Sequence, residues 1–222
     1  MQSGWQMCDP HQLYTLASVF EEKAKSNHVR VVYAREHLKS NDLQPSRHAT
    51  RDKLTKEECE EHQTLAKFIA MRQEVTDFYS QYPKQTWKNV LSLGDMPYEH
   101  DAVQELAYRR VTPKGKRERL RTKSIILPSG PSMSEILLRL HFCGAMLAAY
   151  VQFDGDFDLD LRANDPLASI GEALNLSALA ALPFSRHAWG RQCDHASIPK
   201  SLETLLDAVY QAEPLRSFRR PL

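Results

Sequence analysis

Trp87-Lys88-Asn89-Val90-Leu91-Ser92-Leu93-Gly94-Asp95-Met96-Pro97-Tyr98-Glu99-His100-Asp101 is the stretch on which the fold turns. An apolar run of strand type, residues 89–93, passes through Gly-Asp into helix formers rich in acid. In an open α/β sheet, ligands gather just beyond the carboxyl ends of the strands. Asp95 therefore stands where a metal or a phosphate binds. A carboxylate there suits Mg²⁺, a hard cation that prefers oxygen. Glu99 falls in the first turn of the new helix, where the helix dipole favours negative charge. Asp95 and Glu99 could share a cation directly or through water. A structural reading fits the same spacing: Asp95 N-caps the helix, Pro97 lies near its first position, and Glu99 is an ordinary first-turn acid.

Working outward, the pattern predicts strands and helices in alternation. Residues 12–24 can form a short helix, and Val-Arg-Val-Val-Tyr-Ala at 29–34 reads as a strand. Residues 38–57 are polar, lack periodicity and read as a flexible insertion. A long helix is predicted over 56–82, with Leu65, Phe68, Ile69, Val75, Phe78, Tyr79 and Tyr82 at helical spacing and Pro83 ending it. Ala102, Val103 and Leu106 share a face of the helix that starts near Tyr98. Residues 124–127 form the next strand. Ser132-Met133-Ser134-Glu135 is a capping box, and Ile136, Leu140, Cys143, Leu147 and Tyr150 are the expected buried stripe. A weaker strand lies near 150–160. Residues 166–182 suggest a helix and 183–199 a loop. Ser201 is the expected cap of a last helix through Tyr210, with Leu202, Leu205, Leu206 and Val209 inside. The tail, 216–222, is expected to be loose.

The chain has 222 residues, a formal net charge of +1 and 42% hydrophobic residues. That suffices for a folded core interrupted by polar segments, and it excludes a general polyanion binder. Cys8, Cys59, Cys143 and Cys193 form no C-x-x-C pair. Cys143, on an apolar helix face, reads as a buried thiol, and the set suits an intracellular, reducing, cytoplasmic setting. No secretory signal follows Met1. The longest apolar run, 136–151, contains Arg139 and His141 and is too short to span a bilayer, so no membrane partner is expected.

Other chemical patterns are weak. Arg109, Arg110, Lys114, Lys116, Arg117, Arg119, Arg121 and Lys123 crowd one stretch with only Glu118 against them. No aromatic interleaves them to stack on bases, so a solvated loop is expected and nucleic acid is not. Asp154, Asp156, Asp158 and Asp160 alternate, and in a strand they share one face and repel unless solvated or bound to a cation. A calcium loop would want Gly where Leu159 stands. A half-buried edge strand with Phe153, Phe157, Leu159 and Leu161 inside explains the run without a ligand. No zinc spacing, nucleophile elbow or nucleotide fingerprint occurs.

Val-Leu-Ser-Leu-Gly-Asp-Met-Pro-Tyr-Glu-His-Asp (90–101) resembles the fourth motif of the haloacid dehalogenase (HAD) superfamily of phosphohydrolases. The segments at 31–38, 78–90, 121–128 and 153–161 resemble, in the same order, one HAD-like group of unicellular eukaryotes. This resemblance spans roughly residues 28–161. It implies an α/β fold: a partial HAD-like Rossmannoid parallel sheet with flanking helices over 1–163, and a helical carboxyl-terminal extension over 164–222. It implies that Asp95 and Glu99 are Mg²⁺ ligands and that Lys67 holds the phosphoryl group. The implied partners are a phosphorylated small molecule or protein, and an amino-terminal segment or another chain that completes the sheet. The family's nucleophile motif, Asp-x-Asp-x-Thr or Val after an apolar strand, is not found in residues 1–28. The chain thus resembles the carboxyl-terminal portion of such a protein. It is expected to keep the Mg²⁺-binding motif without the nucleophilic Asp, and so to be inactive alone. The alternative is a non-catalytic binding or scaffold protein on a degenerate HAD frame.

Overall fold

The computed structural model describes residues 31–38, 55–82, 88–110, 119–180, 182, 189, 194–212 and 215. The expected 12–24 helix, most of the 38–57 insertion and the 216–222 tail lie outside them. In chain order the elements are α1 (Lys56–Ser80), β1 (Asn89–Gly94), α2 (Pro97–Tyr108), β2 (Arg121–Ile126), α3 (Met133–Gln152), β3 (Phe157–Asp160), α4 (Pro166–Ala173), the short α5 (Ser177–Ala180) and α6 (Ile198–Tyr210). The three strands pair in parallel in the order β1-β2-β3. The chain is therefore α/β, with helices linking parallel strands.

Register sorts the side chains between two faces. Val90 lies beside Thr122, and Ser92 beside Ser124, which neighbours Asp158. On this face α1 and α2 pack, through Phe68, Ala102 and Leu106 against Val90. The alternate residues, Ile125 beside Leu159, face the larger core. There α3, α4 and α6 meet the sheet through Leu138, Phe142, Met146, Leu167, Ile170, Leu205 and Val209. Residues after 163 share this core with β2 and β3. Tyr210 ties the last helix down by donating its hydroxyl to the Ala145 carbonyl at 2.9 Å.

Caps fix the helix starts. Thr55 and Glu58 form a reciprocal capping box at α1, as Ser132 and Glu135 do at α3. At the far end of α3 the buried Lys123 of β2 donates to the carbonyls of Tyr150 and Val151 at 2.5 and 3.1 Å. A lysine thus closes the orphan acceptors of the last turn. Burial lowers its pKa first, Arg121 lowers it further, and Asp154 and Asp156 oppose.

Several expectations need correction. Val31–Tyr33 is not a strand, and Ala34–His37 forms a 3-10 turn; Val29 and Arg30 lie outside the described residues. Strand propensity measures fit to a pleated, half-buried surface, and among the described residues these side chains find no sheet neighbour. Of the expected apolar face of α1 only Phe68 is buried, and Ala66 and Ala70, which were not expected, are buried beside it. Phe78 and Tyr82 are exposed and stack on one another instead. β2 starts three residues earlier than expected, and α3 continues to Gln152, leaving only Phe157–Asp160 as strand.

The buried stripe of α3 is Leu138, Phe142, Cys143, Met146, Ala149 and Tyr150, while Leu140 and Leu147 are exposed. This helix is apolar nearly all round, so periodicity could not choose its inner face. It is also longer than the apolar run in the sequence: by length and composition it could cross a membrane, but nearly half of it is buried inside the protein. The 166–182 helix breaks at Asn175, which adopts a left-handed φ of 56°. The last helix begins at Ile198, with Pro199 in its first turn, so Ser201 lies within it rather than capping it. Its expected inner residues, Leu202, Leu205, Leu206 and Val209, are all buried.

Among the described residues, one ion pair is almost fully buried. Arg139 Nη2 lies 3.2 Å from Glu135 Oε1, and both side chains are almost fully buried. Arg139 also donates to the Leu161 carbonyl at 2.9 Å and the Trp189 carbonyl at 3.1 Å. Its guanidinium stacks over the Trp189 ring. These contacts saturate the charge, which is the condition for tolerating it in a core.

Candidate functional site at the end of β1

β1 ends at Gly94, and Asp95-Met96 bends into Pro97, the first residue of α2. The bend is closed by Glu99. Its Oε2 accepts the backbone N–H of Asp95 at 3.1 Å and of Met96 at 3.2 Å. To do so the side chain folds over Gly94: a Cβ built there would lie 2.1 Å from Oε2 and 2.8 Å from Cδ. Only glycine leaves room for this cap. The remaining oxygen, Oε1, accepts from Lys67 Nζ at 2.9 Å. Lys67 projects from α1, and the pair is partly buried.

The structure brings together the three residues singled out from the sequence. Asp95 directly follows the strand, as expected, with its side chain exposed. It does not N-cap α2; Met96 occupies that position. The reach of Glu99 back to the cap amides was not foreseen, although an acid three residues after the cap position is the signal for it. As arranged, the donor set does not fit Mg²⁺. One Glu99 oxygen is held by an ammonium and the other by two amides, leaving Asp95 as the exposed carboxylate. Among the described residues, no group of three or more His, Cys, Asp or Glu side chains gathers as a metal site.

A cleft of about 560 Å³ opens beside Lys67. Besides Lys67, its polar groups include Arg35, Gln63, the acidic Glu74 and Ser92, and Val90, Val103 and Leu106 form part of its apolar wall. Its size suits a small molecule.

The alternating acids each meet a basic side chain. Asp154 pairs with Arg121, Asp156 with Arg119, Asp158 with His100 Nε2 at 3.1 Å, and Asp160 with Arg162 at 2.8 Å. Asp156 also accepts the Thr122 N–H at 2.9 Å. Phe157, Leu159 and Leu161 are buried, as the edge-strand reading expected. Hydrogen bonds from Arg162 hold the Asp160 carboxyl below its usual range, against some desolvation. The ladder removes the self-repulsion of the acids and uses cations of the basic stretch. Of the rest of that stretch, Arg109 pairs with Glu105 and lies over the Phe68 ring, and Lys123 is buried; residues 111–118 lie outside the described set. Compared with known proteins, the chain matches no family model, no curated protein and no solved structure.

Proposed function

We propose that this chain is a HAD-like α/β protein that works by binding and does not by itself turn over phosphate esters. The observation that supports this reading is the double commitment of Glu99, to Lys67 through one oxygen and to the Asp95 and Met96 amides through the other. The resemblance assigns these side chains to Mg²⁺ and to phosphate; here two of them neutralise each other. A carboxylate whose charge is already met holds the bend rigid and offers little to a cation. The test is release of p-nitrophenol from its phosphate ester with Mg²⁺, using the full chain. Release no greater than that of Asp95→Asn is expected. Robust release abolished by Asp95→Asn would overturn the proposal.

A second reading is favoured by the cleft beside Lys67. The phosphate of a small molecule or protein bound there would draw Lys67 away and free Glu99 Oε1 to join Asp95 around Mg²⁺. Calorimetric titration of Mg²⁺ with and without inorganic phosphate decides it. Heat that needs phosphate and disappears in Lys67→Met supports this reading, and its absence removes it.

A further inference from the structure

The outward face of α3 carries Met133, Leu137, Leu140, Gly144, Leu147 and Val151, spaced alternately four and three residues apart. That is the seam of a two-helix contact. Met133, Leu140, Leu147 and Val151 are 74%, 43%, 46% and 50% exposed. Leu137 is half-buried and Gly144 is exposed. The helix has only two charged residues, Glu135 and Arg139, and both are turned inward and paired with each other. Its outer face therefore shows solvent no Asp, Glu, Lys or Arg along some 30 Å, and the exposed His141 is its one titratable imidazole.

We propose that this face joins a second copy of the same chain, α3 against α3, antiparallel about a twofold axis. The sequence of the seam is self-complementary in that arrangement. The axis sets Leu140 opposite Gly144 of the other copy, Leu137 opposite Leu147, and Met133 opposite Val151. Each Leu140 enters the gap left by a glycine, twice per dimer, as an isologous interface requires. A parallel pair would face Gly144 with Gly144 and leave a hole. Among the described residues Gly144 packs against nothing: a Cβ placed on it meets no heavy atom of them within 4 Å outside its own helical turn. A glycine within a helix is otherwise a pure cost, and close approach of another backbone explains it.

Charge agrees. No like charges oppose across the seam, and the antiparallel helix dipoles run head to tail. One helix ridge covers less than the ~800 Å² per partner of a standard interface, so the dimer is weak and grows with concentration. This inference does not depend on the reading of the β1 loop.

Sedimentation velocity of the full chain from micromolar to sub-millimolar concentration tests it. The expected result is a shift from 25.5 kDa towards twice that mass. Leu140→Glu should abolish the shift without lowering Tm, since the side chain is exposed. Gly144→Leu is the sharper variant. It improves helix propensity and its Cβ meets nothing among the described residues, so Tm should hold or rise while the dimer is lost. A monomer throughout, or association unaffected by both variants, overturns the proposal. So does a monomer that binds phosphatidylcholine vesicles through Leu140, which would give the face to lipid.

Discussion

Lys67 and Glu99, separated by 32 positions, meet at 2.9 Å and lock α1 to the first turn of α2. The contact converts a motif that reads as a metal site into a cap with its own counterion. Glu99→Gln weakens both halves of this arrangement and is expected to cost roughly 1–2 kcal/mol. Gly94→Ala must expel the Glu99 side chain and should cost at least as much. Asp95→Asn, exposed and with only its backbone engaged, should stay within about 0.5 kcal/mol. Urea unfolding of the three variants gives the order; Asp95→Asn as the most damaging would contradict the capping role.

The buried pair predicts a larger effect. Arg139→Met takes the counterion from the Glu135 carboxylate, which keeps the Ser132 N–H, and takes a donor from the Leu161 and Trp189 carbonyls. A loss of about 3–5 kcal/mol is expected, read as the denaturant midpoint at unchanged slope.

Two tyrosines offer a matched contrast. The Tyr150 hydroxyl is buried with no hydrogen-bond partner among the described residues, and burial raises its pKa well above the ordinary value. Tyr150→Phe should be neutral or stabilising, within about 1 kcal/mol. Tyr210→Phe loses the bond to Ala145 and should cost roughly 1 kcal/mol. Thermal melts of the two variants compare them directly; the reverse order would sink the assignment.

Burial pushes the Cys143 thiol up to about 12, with Arg139 opposing, whereas Cys59 is exposed. Iodoacetamide at mildly alkaline pH should alkylate Cys59 and spare Cys143 until denaturant is added. Peptide mass spectrometry reads the sites. Equal labelling in the native state would place Cys143 outside the core.

Acid should loosen the turn that follows β3. The folded Asp160 carboxyl has a depressed pKa, so its contribution is complete above the unfolded value, about 4. It is lost as pH falls through the folded one. The pair is nearly half exposed, so Asp160→Asn should cost under about 1 kcal/mol at neutral pH. The same variant should flatten the acid limb of a stability-against-pH curve; an unchanged limb would show that Arg162 does not stabilise the carboxylate.

Local patterns were legible where a local rule governs them. Asn89–Gly94 and Arg121–Ile126 form where apolar runs predicted strands, and the Ser132 capping box starts its helix. Phe157, Leu159 and Leu161 turn inward as alternation required. Val31–Tyr33 failed the same test because a strand is completed by neighbours, which a propensity does not supply. The inner face of Met133–Gln152 was illegible because nearly every side is apolar, and the choice fell to what lay opposite: Lys123 at its end, Leu161 and Trp189 around Arg139.

The amino-acid sequence by itself determined an α/β chain with Asp95 just past a strand and Glu99 one helical turn on, since strand period, glycine and helix cap are properties of neighbouring residues. Only the tertiary structure decided that Glu99 is spent on Lys67 and on two backbone amides, and that each acid from Asp154 to Asp160 has its own basic side chain. A carboxylate's partner depends on which distant cation the fold delivers within hydrogen-bonding range, and no spacing along the chain encodes that distance.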